Sequence, residues 1–140
     1  KERKERIEKN KKKAEKENEP CMAIELNNGK LITGKRSALL GAPAAVLLNA
    51  LKQLAKIDDS LTLISRNVIE PIQHLKIDDL KHRNPRLHAE EVLIALAIQA
   101  TTNTLSEFAL KQLPKLRVIL PKLHMLLLCL LCSLNCLAHQ

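Results

Sequence analysis

The sequence has almost no aromatic residues. Phe108 is the single phenylalanine, and Trp and Tyr are absent. A core must therefore consist of Leu, Ile, Val and Ala, and the 46% hydrophobic content of the 140 residues is enough for one domain. Proteins that bind single-stranded nucleic acid stack bases on aromatic side chains. Although the net charge is +8, we therefore predict no nucleic-acid partner.

Glycine is also scarce, with only Gly29, Gly34 and Gly41. A phosphate-cradling loop and a dinucleotide-binding fingerprint each need closely spaced glycines, so both are excluded. The Gly-x-Ser-x-Gly turn of the α/β hydrolases is missing as well. The sequence therefore contains no complete catalytic signature. It leaves enzymatic and non-catalytic roles open and indicates no particular cofactor.

Three of the four cysteines lie in a Leu-rich stretch at the end of the chain. Cys129, Cys132, Cys136 and His139 could be taken for zinc ligands. On one helix the first and last of them would lie about 15 Å apart along the axis, at about 1.5 Å per residue. Zinc holds its ligands at only about 2.0 to 2.3 Å. We therefore predict no metal site.

The same stretch is interrupted by polar residues and is too short for a membrane span, which needs about 20 apolar residues. We therefore predict no membrane partner. No apolar segment typical of a signal peptide occurs near the start of the sequence, so we predict a cytoplasmic location with reduced cysteines. Cys21 is interpreted as a buried strand residue.

Charge is concentrated in the first residues, where Lys, Arg and Glu alternate. Glu5 with Lys9 and Glu8 with Lys12 are spaced as favourable i,i+4 pairs on a helix. Residues 1–19 are therefore predicted to be a solvated, charged helix end that Pro20 terminates. A basic arm that touches phosphate or anionic lipid is the alternative interpretation.

Residues 20–117 have the pattern of an α/β subdomain. Asn27-Asn28-Gly29 between two apolar runs predicts a β-hairpin with a type I′ turn, and the apolar run Leu61–Ile64 predicts a third strand. Predicted helices cover residues 43–55, 88–101 and 104–113, with Ser37 as a candidate helix start and Pro114 as a stop. Another helix begins at Val68 after a Ser65 or Asn67 cap, with Pro71 in its first turn. We therefore predict an α/β fold with helices packed on a layered mixed sheet.

The sharpest chemical motif is His88-Ala89-Glu90, because His-x-Glu at a helix start is half of the zinc deaminase signature. In that chemistry the His binds zinc and the Glu transfers the proton. Cys129-Leu130-Leu131-Cys132 would have to supply the other ligands, but no Pro precedes it. The favoured interpretation is structural: Glu90 and Glu91 complement the helix dipole and His88 caps the helix.

The loop from Asn84 to His88 is the best candidate for ligand binding. Arg86 and His88 could bind an anionic small molecule at the start of the following helix. The competing and favoured interpretation pairs Arg86 with Glu90 or Glu91. The candidate ligand-binding residues are thus Asn84, Arg86 and His88, and the candidate catalytic residues are His88, Glu90 and Glu91.

A series of stretches along the chain resembles the bacterial family called Domain of Unknown Function 1846, or Uncharacterised Protein Family 0371. In chain order they are Ala23-Ile24-Glu25-Leu26, Thr33-Gly34-Lys35, Leu39-Leu40-Gly41-Ala42, Leu47-Leu48-Asn49-Ala50-Leu51, Ile64-Ser65, Val68-Ile69-Glu70-Pro71-Ile72-Gln73, Asn84-Pro85-Arg86-Leu87-His88, Glu91-Val92-Leu93-Ile94-Ala95-Leu96, Ala109-Leu110 and Gln112-Leu113-Pro114-Lys115-Leu116. The resemblance covers about residues 15–117.

This resemblance implies the C-terminal part of a longer cytosolic protein, with a topology similar to cytidine deaminases but without their zinc motif. Members of the family often carry Ser-Asp where this chain has Ala89-Glu90, which argues further against a deaminase. The family has no established activity, so the resemblance implies no reaction. Two roles stay open: a ligand-binding or enzymatic site around Asn84–His88, and a non-catalytic subdomain that forms a homo-oligomer. A basic nucleic-acid module is a third hypothesis, and it predicts an affinity that falls steeply with salt concentration.

After Leu116 the sequence departs from the family pattern. Residues 118–140 form a Leu/Cys-rich tail where the resemblance implies another strand. Our hypothesis is that this tail is read out of frame or belongs to a truncated gene. Translating the underlying DNA in its other two frames tests the hypothesis, because one of them must then encode the missing strand.

Overall fold

A computed structural model describes residues 21–117. In chain order its elements are strands β1 (Cys21–Glu25) and β2 (Leu31–Lys35), helix α1 (Ala42–Ala55), helix α2 (Arg66–His74) with a following π-helical turn (Leu75–Asp79), and helices α3 (Ala89–Ala100), α4 (Thr104–Leu110) and α5 (Leu113–Arg117). The described part is therefore mixed α/β, as predicted. The predicted charged helix end at residues 1–19 and the tail at residues 118–140 lie outside it, and so does the side chain of Cys21.

The two strands form the predicted antiparallel hairpin, in which Met22 faces Gly34 and Ile24 faces Ile32. The predicted type I′ turn is wrong. Gly29 has a φ of 80°, but Asn28 does not have a positive φ. Leu26 accepts a hydrogen bond from the Gly29 N–H at 2.9 Å and donates to the Lys30 carbonyl at 2.8 Å. This is a three-residue loop, in which only the glycine needs the left-handed conformation.

Helix α1 packs directly on the hairpin. A Cβ atom on Gly34 would lie 2.2 Å from the backbone nitrogen of Val46, so only glycine allows this close approach. Near this contact the Asn49 side chain donates a hydrogen bond to the Thr33 carbonyl at 2.8 Å. Helix α1 also contacts α3 and α4, which places this helix at the centre of the described fold.

The core is aliphatic, as the scarcity of aromatic residues predicts. Phe108 is 53% exposed and contributes nothing to it. The fully buried large apolar side chains come from β1, from α1, α3 and α5, and from the loop before α3; they are Met22, Val46, Leu51, Leu87, Val92, Leu96 and Leu116. The core therefore connects the hairpin to the helices through α1.

The predicted third strand at Leu61–Ile64 is wrong. Leu63 and Ile64 are buried, but the segment is irregular. Its polar backbone groups have partners other than a neighbouring strand: the Leu61 N–H donates to the Asp58 carbonyl at 3.1 Å, and the Ser106 hydroxyl donates to the Leu63 carbonyl at 2.6 Å. Just after the segment, the Ser65 N–H donates to the Gln99 side chain at 3.0 Å. Because these partners satisfy the backbone, the segment can be buried without a sheet.

Several helix ends also differ from the prediction. Ser65 is the N-cap of α2, as predicted, but the helix starts at Arg66 and Pro71 lies in its interior. Ser37 does not start α1; its hydroxyl accepts N–H bonds from Leu39 at 3.2 Å and Leu40 at 3.1 Å, which forms a turn. Pro114 lies in the first turn of α5, where a missing N–H is tolerated.

The described part contains less sheet than the predicted layered mixed sheet. Besides the hairpin, residues 21–117 contain one isolated parallel bridge, between Leu40 and Leu87. None of the helices in this range is long and apolar enough to cross a membrane.

Candidate ligand-binding site

The parallel bridge joins the loops that precede α1 and α3. The Leu87 N–H donates to the Leu39 carbonyl at 3.0 Å, and the Gly41 N–H donates to the Leu87 carbonyl at 3.1 Å. Leu87 is completely buried and anchors its loop in the core. The loops before the two helices are therefore held side by side, and Leu87 of the predicted loop Asn84–His88 makes this contact.

Within this loop, Arg86 is held by its neighbours on both the main chain and the side chain. The Asn84 side-chain oxygen accepts the Arg86 N–H at 3.0 Å, and the Arg86 Nε donates to the Ser37 carbonyl at 2.6 Å. The favoured pairing of Arg86 with Glu90 or Glu91 is wrong, because among the described residues no carboxylate lies within 4.0 Å of its guanidinium. Its terminal N–H groups are without a protein partner in residues 21–117.

The carboxylate of Glu91 pairs instead with Lys76, a residue that the sequence analysis missed. Lys76 comes from the π-helical turn, and its side chain is only 3% exposed. Its Nζ lies 2.8 Å from Glu91 Oε1 and 2.5 Å from the Arg86 carbonyl oxygen. Such π-helical turns occur frequently at functional sites. Lys76 lies seven residues after the buried Ile69, a spacing that places both on the same face of a helix. A lysine on this apolar face was the sequence signal that could have identified it.

Glu91 also fixes the beginning of α3. Its Oε1 accepts the backbone N–H of His88, the N-cap residue, at 2.9 Å, which is one half of a capping box. Burial acts to raise the pKa of Glu91, but the hydrogen bonds from Lys76 and from the His88 N–H outweigh it, and the pKa lies below its ordinary value. Glu91 is therefore a structural anion at neutral pH.

The other candidate residues of the sequence analysis are more exposed. His88 Nε2 lies 3.7 Å from Glu91 Oε1, and its side chain is 65% exposed. Glu90 is exposed and contacts no polar partner in the described range. In residues 21–117 no cluster of three His, Cys, Asp or Glu side chains could hold a metal ion. The cysteines at positions 129 and 132, which the deaminase interpretation needs, lie outside this range.

The residues immediately before the loop are basic. Lys81, His82 and Arg83 are exposed and form no ion pair with another described residue, and Arg86 follows three residues later. Glu91 is neutralised by Lys76, so Glu90 is the remaining acidic residue in the first turn of α3. This arrangement can attract an anion and hold it with charge-assisted hydrogen bonds.

Taken together, these features define a mixed α/β unit with a helix-covered hairpin and a basic loop at the start of a later helix. The family described as domain of unknown function DUF1846, C-terminal, matches residues 2–125. The chain belongs to this family. The match includes residues 118–125 of the tail, and the reading-frame hypothesis for residues 118–140 stays a prediction.

Relatives with the same family resemblance come from several bacteria. The chain is 56% identical over 98 residues to a UPF0371 protein of Corynebacterium glutamicum, which covers 70% of this chain and 20% of the relative. It is 55% identical over 102 residues to one of Corynebacterium urealyticum, covering 73% and 20%. It is 49% identical over 105 residues to one of Streptococcus pyogenes, covering 75% and 21%. The chain thus spans about a fifth of the length of these relatives, whose names specify no reaction or ligand.

Proposed function

We propose that the loop Asn84–His88 is a binding site for an anionic small molecule, with Arg86 as the principal contact and His88 beside it. The observation that supports this best is the state of the Arg86 guanidinium. Its Nε is fixed to the Ser37 carbonyl, whereas its terminal N–H groups have no carboxylate partner in the described residues. An arginine fixed in this way presents a preformed fork to a phosphate or carboxylate group.

Two neighbouring features support an anionic ligand. The exposed basic residues of the same segment, Lys81 and Arg83, increase the local positive potential. The N–H groups in the first turn of α3 point toward the same end of the helix, where the helix dipole is positive. Glu90 opposes the ligand with its negative charge, so phosphate binding to the isolated chain should be weak.

The proposal is tested by the thermal unfolding of the 140-residue chain in inorganic phosphate at constant ionic strength. At a phosphate concentration about ten times the Kd, the free energy of unfolding rises by about 1.4 kcal/mol. Arg86→Ala should fold normally but lose this stabilisation. Acetate and citrate, titrated in parallel, distinguish a carboxylate site from a phosphate site.

The matched control is Arg66→Ala, because Arg66 is exposed and its one ion-pair partner within residues 21–117 is Glu70, at 3.9 Å. This variant should retain the full stabilisation by phosphate. Equal losses in the two variants would mean that phosphate binds the positive surface without a site. Unfolding of Arg86→Ala, with no phosphate effect on the original chain, would mean that the arginine has a structural role only.

A second candidate function is a non-catalytic subdomain that forms a homo-oligomer. Four large apolar residues of α3 and α4 are exposed; they are Ile94, Ile98, Leu105 and Phe108. Exposed apolar surface of this kind is typical of an interface. Light scattering after size-exclusion chromatography tests this role: Ile98→Lys with Phe108→Lys should convert a dimer into a monomer, and a monomeric original chain would exclude it.

The finer fold and the location belong to the same proposal. We infer a layered mixed sheet with a topology similar to cytidine deaminases for the complete C-terminal subdomain of the parent protein, and a cytoplasmic location. The parallel bridge between Leu40 and Leu87 supports additional parallel pairing beyond the hairpin. A crystal structure of a full-length relative tests the topology. For the function, a zinc deaminase activity is the less favoured alternative.

A further inference from the structure

We infer that Lys76 is the positioning residue of this anion site. It does not touch the ligand; it fixes the backbone of Arg86 and the start of α3 so that the Arg86 guanidinium stays in a binding geometry. This inference rests on the proposed function for the ligand, but its structural part can be measured without one.

The Lys76 side chain is buried, whereas most lysine side chains are exposed to solvent. Its side chain is 3% exposed, and the cost of burying an ammonium group is offset only when charged and polar partners surround it. Glu91 supplies the charge, and the Arg86 carbonyl supplies a second acceptor at 2.5 Å. A residue buried to this extent cannot be reached by a ligand in solution, so its effect must pass through its two partners.

One partner belongs to the candidate site, and the other lies in the first turn of the helix that follows it. The Arg86 carbonyl belongs to the residue whose guanidinium would bind the anion. Glu91 Oε1 accepts a hydrogen bond from the Lys76 ammonium and another from the His88 N–H, at 2.9 Å. One buried cation therefore connects the backbone of Arg86 with the N-cap of α3. Lys76 and its ion-pair partner Glu91 are 15 residues apart in the sequence.

The same helical segment also holds the loop that binds the Arg86 side chain. Gln73, one turn before Lys76, donates its side-chain N–H to the Ala38 carbonyl at 3.1 Å. The neighbouring Ser37 carbonyl accepts the Arg86 Nε at 2.6 Å. The end of α2 and the π-helical turn thus support Arg86 at its main chain through Lys76 and at its side chain through the 37–41 loop.

The test compares Lys76→Met with the double variant Lys76→Met, Glu91→Gln. The single variant leaves the Glu91 carboxylate without its cation, whereas the double variant removes both charges and can still cap the His88 N–H with an amide oxygen. Lys111→Met is the control, because Lys111 pairs with Glu107 at 3.1 Å on the exposed side of α4. Lys76→Arg tests whether a different buried cation restores the site.

Two readouts separate positioning from general stability. In the absence of ligand, hydrogen exchange at the Leu87 and His88 amides should accelerate in both Lys76 variants relative to the amides of α1. Inorganic phosphate should bind the double variant about tenfold more weakly than the original chain, the lower end of what residues that orient a site typically control. Lys76→Arg should recover part of this loss, and Lys111→Met should change the affinity less than about twofold.

The outcomes are distinguishable. If the original chain does not bind phosphate, the proposed function fails, and the hydrogen-exchange result still decides whether Lys76 fixes the loop. Unchanged exchange and unchanged affinity in a folded double variant would overturn the inference. Loss of folding in both variants would also overturn it, because Lys76 would then be required by the whole fold and not by the loop.

Discussion

The hairpin with α1 and the loop cluster around Lys76 are held together by different forces. In the first region, aliphatic side chains and the close contact of Gly34 with α1 dominate. In the second region, the contacts are a buried ion pair and hydrogen bonds to backbone carbonyls from Lys76, Gln73 and Arg86. Extra volume destabilises the apolar region, whereas the polar cluster is destabilised when any hydrogen-bond or ion-pair partner is removed.

This difference explains where the two kinds of substitution should act. Changes in the packed region should alter the stability of the whole unit. Changes in the polar cluster should alter the loop and its ligand affinity, and they should affect stability to the extent that a buried group loses its partner.

The largest effect is expected from Gly34→Ala. The new Cβ would collide with the backbone of α1, which cannot move as easily as a flexible side chain, so the free energy of unfolding should fall by about 3 kcal/mol. Gly41→Ala is the control, since a Cβ there meets its nearest neighbour at an ordinary 3.5 Å and should cost less than about 1 kcal/mol. Urea unfolding followed by circular dichroism measures both; equal losses would contradict the close packing.

Glu91→Ala should have the next largest effect. It leaves the buried Lys76 with the Arg86 carbonyl but without its counter-charge, and it removes the cap on the His88 N–H, which together should lower the free energy of unfolding by about 2 kcal/mol. Glu107→Ala, which breaks the exposed pair with Lys111, should cost less than about 1 kcal/mol. If both substitutions had the same small effect in urea unfolding, the Lys76–Glu91 pair would not hold the loop cluster.

Ser106→Ala tests the irregular segment that replaces the predicted strand. Removing the hydroxyl leaves the buried Leu63 carbonyl without its 2.6 Å hydrogen bond, so stability should fall by about 1.5 kcal/mol. Ser60→Ala, in an exposed turn, should change stability by less than about 0.5 kcal/mol. A neutral Ser106→Ala in thermal unfolding would indicate that water satisfies the carbonyl instead.

Acid should weaken the loop cluster through Glu91. Because folding lowers the pKa of this carboxyl, its contribution to stability is complete at neutral pH. The contribution is lost as the pH falls below the ordinary glutamate pKa of about 4.3 toward the lower folded-state value. Unfolding midpoints in urea between neutral pH and pH 3 should therefore fall less steeply for Glu91→Gln than for the original chain. Identical slopes would contradict the lowered pKa.

The smallest expected effect concerns Glu90, the remaining acidic residue in the first turn of α3. Glu90→Gln removes a negative charge beside the proposed anion site and should strengthen phosphate binding by about threefold. A calorimetric titration measures the change, and Glu107→Gln on α4 serves as the distant control. Weaker binding in Glu90→Gln would place Glu90 among the residues that contact the ligand.

The sequence predicted the elements that arise from local patterns. Asn27-Asn28-Gly29 predicted the hairpin, and the apolar spacing predicted α1 and α3, because these signals lie within one element. The strand at Leu61–Ile64 was predicted wrongly, since Ser106, 43 residues away, satisfies its backbone. An apolar run of that length does not reveal such a distant partner.

The candidate site shows the same difference between local signals and distant partners. The Asn84–His88 loop was identified from its own residues, but the partner of Arg86 is the Ser37 carbonyl, 49 residues earlier, and not a nearby glutamate. Lys76 was missed because its burial depends on Glu91 and on the loop that covers it. Spacing within one helix predicts which charges could pair, whereas the fold determines which of them do.

The most direct test of the anion site is an NMR titration of the isotopically labelled 140-residue chain with inorganic phosphate, observing backbone amides and the arginine Nε–H groups. We expect the shifts to concentrate at Arg86, Leu87 and His88 and at the Arg86 Nε–H, and to disappear in Arg86→Ala. Shifts that are absent from this loop, or spread evenly over the basic residues of the chain, would contradict the proposed site.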